Sequence, residues 1–137
     1  MKVRDVMTKQ VTTCRTYTNL AAASALMWDN DCGALPALTE TGELAGILTD
    51  RDICIALGTR NARASDLTVR DVVETLPLIC KSTDDVGTAL QIMRQAKIRS
   101  LPVVNEAGAL EGTVSIDDIA TIVQSGENQF AGHRVAA

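Results

Sequence analysis

The chain holds one tryptophan, one tyrosine, one phenylalanine and one histidine in 137 residues. With so few rings there is no aromatic ladder on which bases could stack, and no basic run tracks a phosphate backbone. The formal charge of −4 points the same way. Nucleic acid is therefore not an expected partner, although a helix start or a local cation can still hold a single nucleotide.

Other absences narrow the field further. No apolar stretch approaches bilayer-spanning length, and Met1-Lys-Val-Arg-Asp5 lacks a following apolar signal segment. A cytoplasmic protein with no membrane partner is expected. Cys14, Cys32, Cys54 and Cys80 have no Cys-x-x-Cys spacing and are read as reduced, core-filling thiols. His133 lies in a tail of small residues, so no metal site is expected. No glycine-rich phosphate loop and no Ser-His-Asp or Cys-His set is visible, and catalysis is not expected.

What the sequence does have is a repeat. Gly46-Ile-Leu-Thr-Asp-Arg-Asp-Ile53 returns 66 positions later as Gly112-Thr-Val-Ser-Ile-Asp-Asp-Ile119. The same offset aligns Val3-Arg-Asp-Val6 with Val69-Arg-Asp-Val72, Cys14 with Cys80, Met27 with Met93 and Leu35-Pro36 with Leu101-Pro102. It also carries Gly42, Leu44 and Gly46 onto Gly108, Leu110 and Gly112. The chain is a tandem duplication of half-size units, neither of which is expected to be stable alone.

Within each unit the pattern reads strand, helix, strand, strand, helix. Val3 to Met7 is a helical turn and Val11 to Cys14 a brief β-type run. Thr16 to Asn19 gives capping chemistry before a helix with Leu20, Ala23, Ser24 and Met27 on its buried stripe. Ala34–Leu38 and Leu44–Leu48 are short strands joined by a turn in which Gly42 takes positive φ. A second helix starts after Thr49 and is expected to stop near Gly58, with a polar connection on to Leu67. The second unit repeats this order, with Val86, Ala89, Leu90, Met93 and Ala96 on its first helix face. Beyond Gln124 a frayed tail is expected.

The chemistry concentrates where strand meets helix. Thr49 with Asp52, and Ser115 with Asp118, place a hydroxyl and a carboxylate three residues apart at equivalent helix starts. A carboxylate can accept a hydrogen bond from both hydroxyls of a ribose diol, and a hydroxyl with free amides can serve a phosphate. The same spacing is also a capping box, which satisfies backbone donors without any ligand. Arg51, Lys97 and Arg99 are further cations near these motifs, where the first unit has Asp31 and Gly33 in the places of Lys97 and Arg99. The two sites should therefore differ in phosphate affinity. Pro36 and Pro102 remove amide donors and are expected at edge or irregular strand positions, which suits either a cleft wall or a simple strand boundary. Trp28, whose repeat partner is Arg94, is expected at a half-exposed rim, with a dimer contact and ordinary packing both open.

Taken in order, the Val-x-Asp-Val opening, the Leu-Pro-x-hydrophobic strand, the Gly-x-Leu-x-Gly turn and the Thr/Ser-x-x-Asp helix start resemble a tandem pair of cystathionine-β-synthase (CBS) domains. Met7 matches the family's methionine after the opening, and Val73 departs from it. The resemblance implies an α/β (α+β) fold of two β-α-β-β-α repeats packed with pseudo-twofold symmetry: residues 1–58, a connection 59–68, residues 69–124, and a tail 125–137. It further implies two clefts that take an adenosyl ligand (AMP, ADP, ATP, NAD or S-adenosylmethionine) at Thr49, Asp52, Ser115 and Asp118, with Arg51, Arg99 and Pro102 nearby. A regulatory sensor working as a homodimer and signalling to an unidentified effector protein is the implied function. A ligand-free dimerisation or adaptor module is the alternative.

Overall fold

A computed structural model describes residues 1–73 and 78–122. They form an α+β structure of two three-stranded sheets, ordered β1-β2-β3 and β4-β5-β6. Its elements are β1 (Cys14–Arg15), α1 (Leu20–Asp29), β2 (Ala34–Leu38), β3 (Leu44–Thr49), α2 (Asp50–Arg60), β4 (Cys80–Lys81), α3 (Val86–Ala96), β5 (Ser100–Val104), β6 (Leu110–Ser115) and α4, described over 116–122.

Local chemistry explains most boundaries. Asn19 caps α1 by accepting from the Ala22 amide at 2.8 Å. Leu20, Ala23 and Met27 then bury one stripe of that helix. β2 and β3 pair antiparallel from Ala34 opposite Thr49 to Leu38 opposite Leu44, and Gly42 and Gly108 turn their hairpins at φ +88° and +85°.

Two expectations about the helices need correcting. α2 does not stop at Gly58 but runs to Arg60, where Asn61 takes the left-handed conformation that ends it. Its last turn is held by the Thr59 hydroxyl on the Ile55 carbonyl and by Arg60 donating to the Asp71 carbonyl. Ala96 is exposed, because α3 ends there and Lys97 turns left-handed at φ 58°. The expected tail beyond Gln124 lies outside the described residues.

The prolines also differ from expectation. Pro36 and Pro102 sit in β2 and β5, the middle strands of their sheets, and both are buried. The two-residue outer strands explain how this is tolerated. β1 pairs only with Ala37 and Leu38, and β4 only with Val103 and Val104. At the level of each proline no outer strand requires the missing N–H.

The chain divides into two compact units that exchange their opening segments. Among the described residues, one unit combines 1–10 with 78–106 and 111–122, and the other combines 11–73 with 107–110. In the first, the Val3 amide donates to the Asp84 carbonyl at 2.8 Å, Arg4 to Ser82 at 3.0 Å, and Val86 to Met1 at 3.0 Å. In the second, the equivalent bonds run from Val69 to Thr18 at 2.8 Å, Arg70 to Thr16 at 2.9 Å, and Leu20 to Leu67 at 2.9 Å. Each opening turn thus fills the other repeat's core. Val3 is fully buried with Cys80, Ala89, Met93, Leu101 and Val114, and Val69 with Cys14, Leu20, Ala23 and Leu35.

Candidate functional site

Both Thr/Ser-x-x-Asp motifs sit at the strand-to-helix junction, where a buried strand delivers a hydroxyl residue to the N-cap. In the first motif the Thr49 hydroxyl accepts from the Asp52 amide at 3.0 Å, and Asp52 Oδ2 accepts from the Thr49 amide at 3.0 Å. In the second, the Ser115 hydroxyl accepts from the Asp118 amide at 2.9 Å, and Asp118 Oδ2 accepts from the Ser115 amide at 3.3 Å. Both are reciprocal capping boxes.

Capping occupies one oxygen of each carboxylate. Among the described residues Asp52 Oδ1 and Asp118 Oδ1 accept no hydrogen bond, while Oδ2 of Asp118 also lies 3.5 Å from the Thr8 hydroxyl. All four motif side chains belong to half-buried residues. A carboxylate oxygen has two lone pairs and Oδ1 is available, so a ribose diol can still be accepted at either motif.

The expected phosphate amides are less available at α2. The Asp50 amide donates to the Gly33 carbonyl at 2.9 Å, Arg51 to Asp50 Oδ1 at 2.8 Å, and Asp52 to Thr49. The first three donors of that helix are therefore engaged within the protein, and a phosphate there would rely on side-chain cations.

The cations are placed unequally. Arg99 pairs with Asp117 at 2.9 Å, both side chains being largely exposed. Arg51 is exposed and forms no ion pair among the described residues. The Ile116 amide bonds the Arg99 carbonyl at 2.9 Å, the counterpart of Asp50 to Gly33. The starts of β2 and β5 thus adjoin the two motifs in the same way. Pro102 is buried in β5, with the Cys80 thiol 3.8 Å from its carbonyl.

The segment carrying Thr8 reaches Asp118 through a close backbone approach. Thr8 and Thr113 exchange backbone hydrogen bonds of 2.8 and 3.0 Å. Gly112 makes this possible, since a Cβ there would collide with the Thr8 carbonyl. Thr8 was not singled out from the sequence. The signal was present in the repeat, because Thr8 corresponds to Glu74, a hydroxyl in one copy and a carboxylate in the other.

The cysteines divide by location. Cys14 and Cys80 are buried, and burial pushes each thiol up to about 11. Cys32 is half-buried, and Cys54, expected in the core, is exposed on α2. The reason is that α2 turns only Ile53 and Ala56 fully inward. Cys54 instead lines an open groove of about 620 Å³ with residues of α1, α2 and the loop after α1. Thr49 and Asp52 are not among that groove's lining residues. Among the described residues no group of three or more histidine, cysteine or acidic side chains could hold a metal, and no helix is long and apolar enough to cross a membrane.

Comparison with known proteins fits this arrangement. The CBS domain-containing protein YhcV of Bacillus subtilis is 35% identical over 126 residues, covering 92% of this chain and 88% of its own. The crystal structure of Hypoxic Response Protein I, which holds two coordinated zinc ions, superposes with a TM-score of 0.81 at 30% identity and covers 88% of this chain and 98% of its own. A related protein of Mycobacterium tuberculosis carries the same name. CBSX2 in complex with AMP shares the fold, with a TM-score of 0.82 at 21% identity over 92% of this chain and 98% of its own. The chain also matches homoserine O-acetyltransferases, as in Methanococcoides burtonii, but spans only 24% of that protein's length. The CBS domain family itself matches residues 3–59 and 65–125, and with both repeats accounted for, this chain belongs to the CBS domain family.

Proposed function

We propose that this chain is a regulatory ligand-sensing module that accepts the ribose of an adenine nucleotide or related adenosyl compound at Thr49/Asp52 and Ser115/Asp118. It acts in the cytoplasm as a homodimer and passes its bound state to an effector protein. No catalytic step is assigned to it. The observation that carries this reading is the duplicated half-buried aspartate, which caps its helix with Oδ2 and leaves Oδ1 available for a sugar hydroxyl. The AMP held by CBSX2, a protein of the same fold, supports the choice of ligand class. Arg51, exposed and in no ion pair among the described residues, is the cation we assign to a phosphate, whereas Arg99 would first have to leave Asp117. Pro102 contributes an apolar wall without a competing amide donor.

A second reading is favoured by the capping boxes themselves, which satisfy both motifs without a ligand. On that reading the chain is a structural dimerisation or adaptor module. Thermal unfolding with AMP, ADP, ATP, NAD and S-adenosylmethionine separates the two. A sensor gains about 2.7 kcal/mol at roughly a hundredfold ligand excess over its dissociation constant. Unchanged unfolding with all five compounds would leave the adaptor.

A further inference from the structure

The four thiols fall into two pairs of different kind. Cys14 and Cys80 are repeat counterparts, both buried, in β1 and β4. Cys32 and Cys54 occur in the first repeat alone, since 66 positions on the second carries Ile98 and Ala120. Both line the open groove of α1 and α2, at whose edge Trp28 stands 86% exposed and not at a half-exposed rim. Two thiols gained or lost together, on one surface of one repeat, point to a joint role.

The backbone brings their segments together. The Cys32 amide donates to the Met27 carbonyl at 3.0 Å, and the carbonyl of the next residue, Gly33, accepts from the Asp50 amide at 2.9 Å. A Cβ at Gly33 would stand only 3.1 Å from Asp50 Oδ2, so the loop lies close against the start of α2. Cys54 follows Asp50 by one turn on the same helix face, a rise of about 5.4 Å. The loop thus meets α2 within the reach of a disulfide, whose Cα atoms stand about 4.4–6.8 Å apart.

We infer that Cys32 and Cys54 form a reversible dithiol–disulfide pair, a modification site for hydroperoxides on the first repeat. Cys54, the exposed thiol, reacts first. Its thiolate attacks one oxygen of hydrogen peroxide, the O–O bond breaks, and the departing hydroxide takes up the thiol proton as water, leaving a sulfenic acid. Cys32 then attacks that sulfur, the S–O bond breaks, and the second hydroxide leaves with the Cys32 proton as water. The two sulfurs together lose two electrons and the peroxide gains them. Exchange with a small thiol reverses the link, as a reducing compartment requires. The bridge closes a loop that contains β2, β3 and the Thr49/Asp52 junction.

Peroxide treatment of the full chain, alkylation of the remaining thiols and tryptic peptide mass spectrometry without reductant test this. Peptides 16–51 and 52–60, which carry Cys32 and Cys54, should appear as one linked species that dithiothreitol separates, with Cys14 and Cys80 left unlinked. In Cys32→Ser the sulfenic acid has no partner, and its adduct with dimedone at Cys54 should exceed that of wild type by at least about fivefold. Cys32 and Cys54 both still open to alkylation after peroxide, a link from Cys54 to a second copy, or a link from either to Cys14 or Cys80 would overturn the pairing. Should Cys32→Ser fail to fold by circular dichroism, the linked wild-type peptides decide alone.

Discussion

On the proposed function the half-buried aspartates have two tasks, capping and ligand binding, that a substitution can separate. Asp52→Ala removes the acceptor for the Thr49 amide, and loss of this cap should cost about 1 kcal/mol of stability. Asp52→Asn keeps a carbonyl acceptor and should retain most of that stability, yet it loses the charge that strengthens hydrogen bonds to a diol. Chemical unfolding of the two variants, without and with AMP, reads both effects. Equal loss of stability in both would show that the carboxylate charge matters to the cap. At the cysteines, Cys54 should react first with an alkylating reagent at neutral pH, because it is exposed, whereas Cys14 and Cys80 should stay protected until the chain opens. Peptide mass spectrometry after timed alkylation measures the order. Their raised thiol values stabilise the fold below the ordinary value of 9.0, and that contribution is lost as pH rises from 9.0 through about 11. The hydroxyl–carboxylate spacing was legible in the sequence because both partners lie within one helical turn. The Arg99–Asp117 pair was not, since its members meet only once β5 and the start of α4 are brought together.

Among the elements, the exchanged opening turns bear the heaviest mutual dependence. Val3 and Val69 are both fully buried in equivalent cores. Val3→Ala and Val69→Ala should each cost about 1.5–3 kcal/mol in denaturant unfolding. A negligible loss at Val3 alone would mean that the first turn is not docked. These turns are also held by carboxylates. The Thr68 amide and hydroxyl hold Asp71 below the usual carboxylate range, and Lys2 does the same for Asp85. A depressed folded-state value adds stability above the unfolded value, so this support is present at neutral pH and disappears as pH falls below about 4. Acid titration followed by circular dichroism should therefore show a smaller drop for Asp71→Asn than for wild type. An equal drop would remove Asp71 from the cause. Hairpins and caps were readable from Gly42, Gly108 and Asn19 because each acts on its near neighbours. The exchange was not readable, because hydrogen bonds from Val3 to Asp84 and from Val69 to Thr18 leave no local period. Similarly, Gly58 looked like a helix stop, but the turn that ends α2 falls at Asn61 and is fixed by Arg60 reaching Asp71.

At the scale of the whole molecule, duplication gives two similar strand-to-helix motifs and then makes their surroundings unequal. The first copy carries Thr8, Asp31 and Gly33 where the second carries Glu74, Lys97 and Arg99. The repeat and the family could be read from sequence, because the 66-residue offset preserves the motifs without a gap. The inequality of the sites depends on which side chains pair after folding. A ligand can change the shape or partners of such a module only by binding one arrangement better than another. Calorimetric titration of AMP into the wild type, Asp52→Asn, Asp118→Asn and the double variant tests the central claim most directly. Saturable binding to the wild type, weakened at least about tenfold in one single variant and abolished in the double variant, is the predicted result. Wild-type affinity persisting in the folded double variant, or no binding by the wild type, would contradict it.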